Sequence, residues 1–168
     1  MQVVGKETAG LDCELTFEPG RRLVGEAGVL VSEVILVKPG VSKTFVVVDA
    51  AMNDLIRPTL YEAWHDILPV KAARPGVATI RCDIVGPICE SGDYLALNRD
   101  LPTLSAGDLV MIRSAGAYGA VMASSYNSRP LVPEVMVDGT RFAVTRPRPS
   151  IDEMISAERL PPWMEKKA

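Results

Sequence analysis

What most limits the folds open to this chain is a succession of short segments rich in β-branched residues from Ser32 onward. SEVILVK, KTFVVVDA, AWHDILPVK, VATIRCDIVG, DLVMIRSA and EVMVDGTRFAV are each cut off by Gly, Pro or Asp. Val, Ile and Thr suit a pleated, half-buried surface, so residues 32–168 are expected to form an antiparallel β domain with short helices. Asp138-Gly139 lies between two alternating runs, the pattern of a tight hairpin. Ser150, followed three residues later by Glu153, predicts a capping box at the head of a short helix, IDEMISAE. The tail PPWMEKKA, 161–168, is expected to fray.

The N-terminal stretch reads differently. LDCELTF, 11–17, alternates like a strand and stops at the turn Glu18-Pro19-Gly20-Arg21. RRLVGEAGVLVSEV then places apolar residues at 23, 24, 27, 30, 31 and 34, close to a helical period despite two glycines. One strand and one helix cannot bury their apolar faces alone. Residues 1–31 therefore look like the end of something larger.

Composition narrows the function classes. A chain of 168 residues that is 48% hydrophobic can bury one core, which excludes disorder as the default. A net charge of −3 and a pI near 5.2 lack the basic patches that neutralise phosphates, so no nucleic-acid partner is expected. No apolar run reaches the length of a membrane span, and MQVVGKETAGLDCE lacks the basic-then-apolar order of a secretory signal. A soluble, cytoplasmic chain is the expectation. Cys13, Cys82 and Cys89 show no CxxC spacing and there is one histidine, so neither a zinc site nor a disulfide framework is indicated, and the thiols are expected to be reduced.

Four constellations could carry chemistry. In Glu18-Pro19-Gly20-Arg21, glycine lets backbone amides approach an anion and arginine adds charge-assisted bonds; on these residues alone, a plain turn fits better. Cys89-Glu90-Ser91-Gly92-Asp93 gathers a thiol and two carboxylates that could exchange protons, although such loops are more often merely soluble. If Pro58 opens a helical turn, Arg57 and Tyr61 share a face and could bind an anion; structural use of either is as plausible. Ser114-Ala115-Gly116-Ala117-Tyr118-Gly119 presents a phenol among small residues after a strand. His65 is given no catalytic role, and Trp64 and the methionines are expected in the core.

Taken in order, EPGR, VDAAMNDLIRPTLY, GPICESGD and SAGAYGAVMASSYNSRP resemble the C-terminal part of the diaminopimelate decarboxylase family, from about Leu11 to about Pro162. The wider group is the fold-type III pyridoxal-phosphate decarboxylases. The resemblance implies a mainly β chain, a C-terminal β-barrel or sandwich domain over 32–168. Before it, residues 1–31 would be the last strand-helix unit of a (β/α)8 barrel whose earlier units, absent here, hold the lysine that anchors the cofactor. It implies conversion of meso-2,6-diaminopimelate to L-lysine and carbon dioxide, the last step of lysine biosynthesis, by a homodimer with shared active sites. The chain alone would be inactive, for want of that lysine. Carried over residue by residue, Glu18 pairs with the pyridine nitrogen of pyridoxal 5'-phosphate. Gly20, Arg21 and Tyr118 bind its phosphate, and Arg21 and Tyr118 also reach the substrate. Arg57 and Tyr61 hold the carboxylate at the substrate's far end, and Glu90 faces the ammonium there. Cys89 matches the proton donor to the α-carbon and serves the opposite subunit's site. No metal is implied.

Two other readings stand beside this one. A free-standing β domain could serve dimerisation or interaction, and a related decarboxylase could act on another amino acid. The trio Arg57, Tyr61 and Glu90 argues against the latter, because a diamine-forming decarboxylase has no distal carboxylate for Arg57 to hold.

Overall fold

The computed structural model describes residues 2–74 and 76–164. Among the described residues, four short helices, α1 (Gln2–Glu7), α2 (Gly20–Val24), α3 (Arg57–Tyr61) and α4 (Ile151–Ser156), accompany eight strands. The strands β1 (Leu30–Pro39), β2 (Thr44–Val48), β3 (Ile67–Pro69), β4 (Thr79–Val85), β5 (Tyr94–Pro102) and β6 (Leu109–Ile112) form one sheet, ordered β3-β6-β1-β2-β4-β5. β7 (Glu134–Asp138) and β8 (Arg141–Arg146) form a separate hairpin.

The mainly β expectation holds, with one correction to the antiparallel reading. β2 runs parallel to β4, with Thr44 opposite Cys82 and Val47 opposite Val85. A parallel pair needs a long crossover. Residues 49–78 supply it, passing through α3 and through β3, which pairs with β6 at the far edge. β5 was not among the expected strands.

The sheet curls until its edges meet, giving a nearly closed barrel. Arg99 of β5 donates from Nη2 to the carbonyl of His65, two residues before β3, at 3.0 Å. Its guanidinium also lies against the Trp64 ring. His65 is buried, with Nδ1 2.9 Å from the Arg113 carbonyl, as suits a packed histidine. Trp64 is 73% exposed and, among the described residues, no methionine belongs to the core cluster, which corrects the expectation for both. The indole is held outside the sheet by the cation it covers.

Val34, Val46, Val48, Leu55, Ile84, Leu95, Val110 and Ile112 fill the barrel and are fully buried. Each contributes about 1.5–3 kcal/mol relative to exposure. In β2 the inward positions are Val46 and Val48, two apart, as the pleat requires. β1 departs from that period through a bulge between Val34 and Leu36, which leaves Ile35 and Leu36 both exposed.

No strand forms at 11–17; these residues run as exposed, irregular chain. A strand needs a ladder partner, and none of the described residues pairs with this stretch. The helix expected from Arg21 to Val34 ends early. After α2 comes a 3₁₀ turn at Gly25–Ala27, and then β1 begins, with Leu30 opposite Ile112 of β6. β1 thus starts two residues before position 32, where the β domain was expected to open. The Asp138-Gly139 turn forms with Gly139 at φ 61°, and the capping box of α4 forms as expected. Of the tail, 162–164 form a turn and 165–168 lie outside the described residues. Among the described residues no helix is long and apolar enough to cross a membrane.

Candidate functional site

α3 begins at Arg57 with Pro58 in its first turn, where a fixed φ suits the helix and a missing N–H is not felt. It ends at Glu62, which takes the left-handed conformation at φ 52°. One turn of helix puts Arg57 and Tyr61 on a common face, as expected: the Arg57 Cζ lies 5.8 Å from the Tyr61 ring centre. Tyr118 joins them from another loop, its ring centre 5.7 Å from the same Cζ. The two rings hold the guanidinium by cation–π attraction without using its N–H donors.

Tyr118 is positioned by backbone in an uncommon state. Ser114 and Tyr118 take φ 59° and 57°, where non-glycine residues are costly and often functional. The loop is clamped to the segment after α2. Ala115 N donates to Gly28 O at 2.9 Å and Gly116 N to Gly25 O at 3.1 Å. The approach is so close that a Cβ on Gly116 would stand 2.1 Å from the Val24 carbonyl oxygen. Ser114 Oγ donates to Glu26 at 2.6 Å, and Arg113 reaches Glu26 and Asp66 at 3.7 and 3.5 Å.

This clamp makes Arg21 and Arg57 walls of one cleft of about 440 Å³, together with Arg22, Glu26, Trp64 and His65. Glu26 is already engaged by Arg113 and Ser114. Among the described residues, Arg21, Arg22 and Arg57 have no carboxylate partner. The cleft therefore suits an anion, and two anions if they are spaced apart. Glu18 is exposed in the irregular chain before α2, and Gly20 is the first residue of that helix.

Cys89 and Glu90 lie on the β4–β5 turn and are exposed. The loop reading of CESGD needs one correction. Asp93 is buried and its carboxylate accepts from Met52 N at 2.7 Å and Ile88 N at 2.6 Å. It is therefore a structural anchor, with no exposed carboxylate to exchange protons. Thr59 of α3 donates to the Gly92 carbonyl at 2.5 Å, tying the turn to the Arg57 helix. Among the described residues no hydrogen bond or ion pair joins Cys89 or Glu90 to Arg21, Arg57 or Tyr118. Glu90 instead accepts from the Tyr126 phenol at 3.3 Å.

Tyr126 and the anchors of the segment that leads into α3 were not singled out by sequence. Asn53 Nδ2 donates to Ser124 O at 2.9 Å, and Ser124 N returns a bond to Asn53 O. Buried Asp54 accepts from Ala51 N at 2.9 Å and lies 3.6 Å from Arg129, while burial raises its pKa from the ordinary carboxylate value. The only signal was the run of polar residues Asn53-Asp54 between apolar neighbours.

A family model for the pyridoxal-dependent decarboxylase C-terminal sheet domain matches residues 11–116. The chain belongs to the pyridoxal-dependent decarboxylases, of which it carries the C-terminal sheet domain. Relatives matched over nearly the whole chain are diaminopimelate decarboxylases. That of Zymomonas mobilis is 51% identical over 97% of this chain and 38% of its own length. That of Pseudomonas aeruginosa is 50% identical over 96% of this chain and 38% of its own. A crystal structure of the Helicobacter pylori diaminopimelate decarboxylase complexed with L-lysine matches with a TM-score of 0.79 at 39% identity, over 93% of this chain and 38% of that one. The chain thus spans about 38% of the length of the curated relatives it matches.

Proposed function

We propose that this chain supplies one side of a diaminopimelate decarboxylase active site, in an enzyme that forms L-lysine and carbon dioxide from meso-diaminopimelate. The observation that carries the reading is Arg57, flanked by Tyr61 and Tyr118 and facing a cleft it shares with Arg21. A substrate with a second amino-acid head needs a cation for its distal carboxylate, and among the described residues no group takes up the donors of Arg57. Arg21 and Tyr118 also reach the substrate, Tyr61 supports Arg57, and Glu90 meets the distal ammonium.

The same cleft fits the phosphate of pyridoxal phosphate, since Arg21 is adjacent to Gly20 and has no carboxylate partner among the described residues. Gly20, Arg21 and Tyr118 would hold that phosphate, and Glu18 the ring nitrogen. Pyridoxal phosphate, when bound, supplies the sink for the electron pair left as carbon dioxide departs. Cys89 then delivers a proton to the substrate's α-carbon. Cys89 is exposed, and among the described residues no hydrogen bond joins it to Arg21, Arg57 or Tyr118, which supports a site shared between two subunits of a homodimer. Residues 1–31 would belong to the cofactor-holding barrel and 32–168 to the β domain. The barrel would cover the exposed Leu11, Phe17 and Leu23. A soluble cytoplasmic enzyme is the setting this implies.

In the complete enzyme, Arg57→Ala should lower kcat/KM for diaminopimelate on the order of a hundredfold while leaving the unfolding midpoint nearly unchanged. An unchanged kcat/KM would make Arg57 structural and remove the main support. Sedimentation of the unsubstituted enzyme as a monomer at assay concentration would remove the shared site.

A further inference from the structure

We infer that Tyr126 is a positioning residue for Glu90, and through it for recognition of the substrate's distal ammonium; the inference rests on the reading of Glu90 proposed above. The phenol donates to Glu90 Oε2 at 3.3 Å, while Glu90 Oε1 accepts from Gly92 N at 3.4 Å. One carboxylate oxygen is therefore oriented by the turn itself and the other by a second loop. A carboxylate on an exposed turn otherwise samples several rotamers, and holding it in one spares that loss when a cation arrives.

The loop carrying Tyr126 is built to hold its place. On one side Ser124 is paired with Asn53 through bonds of 2.9 Å in both directions. On the other, Arg129 donates to Asp49 O at 2.6 Å and reaches buried Asp54 at 3.6 Å. Between these anchors Asn127 and Ser128 both take left-handed backbone, at φ 59° and 55°. Two consecutive non-glycine residues in that region persist only where the surroundings impose them, and such strain concentrates at working sites. The segment 49–54 that fixes this loop also leads into α3. The hydrogen bond to Glu90, and then the carboxylate's charge, raise the Tyr126 pKa.

Two probes isolate the distal ammonium: L-lysine, and 6-aminohexanoate, which is lysine without its α-amine. Both keep the carboxylate that Arg57 would hold. Binding to the complete enzyme is measured by calorimetry for the unsubstituted protein, Tyr126→Phe, Glu90→Gln and the double variant. Tyr126→Phe should weaken L-lysine about fivefold to tenfold and change 6-aminohexanoate less than about twofold, with no further loss when added to Glu90→Gln. The tyrosinate titration supplies a readout independent of ligand: the Tyr126 midpoint, from difference spectra against Tyr126→Phe, should fall in Glu90→Gln. Equal weakening of both probes, or full additivity of the two substitutions, would overturn the role of Tyr126. If Glu90→Gln itself leaves L-lysine binding unchanged, the reading of Glu90 fails instead.

Discussion

The curled sheet and the segments around it treat apolar side chains in opposite ways. In the sheet, Val46, Val48, Val110 and Ile112 are wholly buried. In the flanks, Leu11, Phe17, Leu23, Met136, Phe142 and Ile155 are all more than half exposed. The hairpin β7–β8 exposes apolar residues on both faces, Val135 and Val137 on one and Met136 on the other. The sheet closes on itself through Arg99 and His65, so its core is complete within the chain. The flanks leave large apolar side chains in the open. The candidate site sits at the border between the two, where α2 is clamped onto the sheet-borne loop 114–119.

The widest test of this contrast is a pair of truncations. Ile112→Ala removes a fully buried side chain and should destabilise the chain by about 2–5 kcal/mol. Leu23→Ala removes an exposed one and should change stability by less than about 0.5 kcal/mol. Urea unfolding of both variants reads the difference. A loss at Leu23 matching that at Ile112 would mean that α2 shares the core, and the contrast would fail.

A smaller effect is expected at the border itself. Gly116→Ala forces a methyl toward the Val24 carbonyl, so either the loop or α2 must move. Overpacking of this kind costs about 1–3 kcal/mol. Because α2 has no buried residue of its own, the clamp should release before the sheet strains. Limited proteolysis should then cut within 20–28 faster than in the unsubstituted chain, with the amide protection of β2 and β4 unchanged. Unaltered cleavage would show that the close approach is not what seats α2.

The parts of this architecture that were legible in the sequence are those fixed by neighbours along the chain. Asp138-Gly139, the Ser150–Glu153 box and Pro58 in a first helical turn each act within four residues. The failures are tertiary. β5 reads poorly as a strand because Asn98, Arg99 and Asp100 interrupt it, yet Asn98 N donates to buried Asp83 at 2.7 Å and Arg99 closes the barrel. The stretch 11–17 alternates correctly but finds no ladder among the described residues. Leu30, Val31 and Val34 fell on a helical period, and pairing with β6 made the stretch strand instead. In the site, Arg57 with Tyr61 followed from helical spacing, whereas the arrival of Tyr118 depended on a clamp of Ala115 on Gly28 and Gly116 on Gly25 that no local pattern announces. Tyr126 lies in the run SSYNSRP, and its bond to Glu90 spans 36 positions. The cofactor and the division of roles came from resemblance alone.

The smallest effect expected lies in the flank farthest from the core. α4 has no buried residue, so its helix depends on its cap. Ser150 Oγ accepts from Glu153 N at 3.1 Å, and Glu153 Oε2 accepts from Ser150 N at 2.7 Å. The bond from the Ser150 backbone, followed by that from its hydroxyl, lowers the Glu153 pKa below its ordinary value of 4.5. A depressed carboxylate contributes stability that is present above the unfolded value and lost as pH falls through the folded one. The helical chemical shifts of 151–156 should therefore weaken as pH drops below 4.5, while those of β2 and β4 hold. Ser150→Ala should produce the same fraying already at neutral pH and leave the urea midpoint of the sheet where it was. If α4 and the sheet lost structure together in either experiment, this flank would be part of the sheet's cooperative unit, and the division drawn between the closed barrel and its surroundings would have to move to a point beyond residue 156.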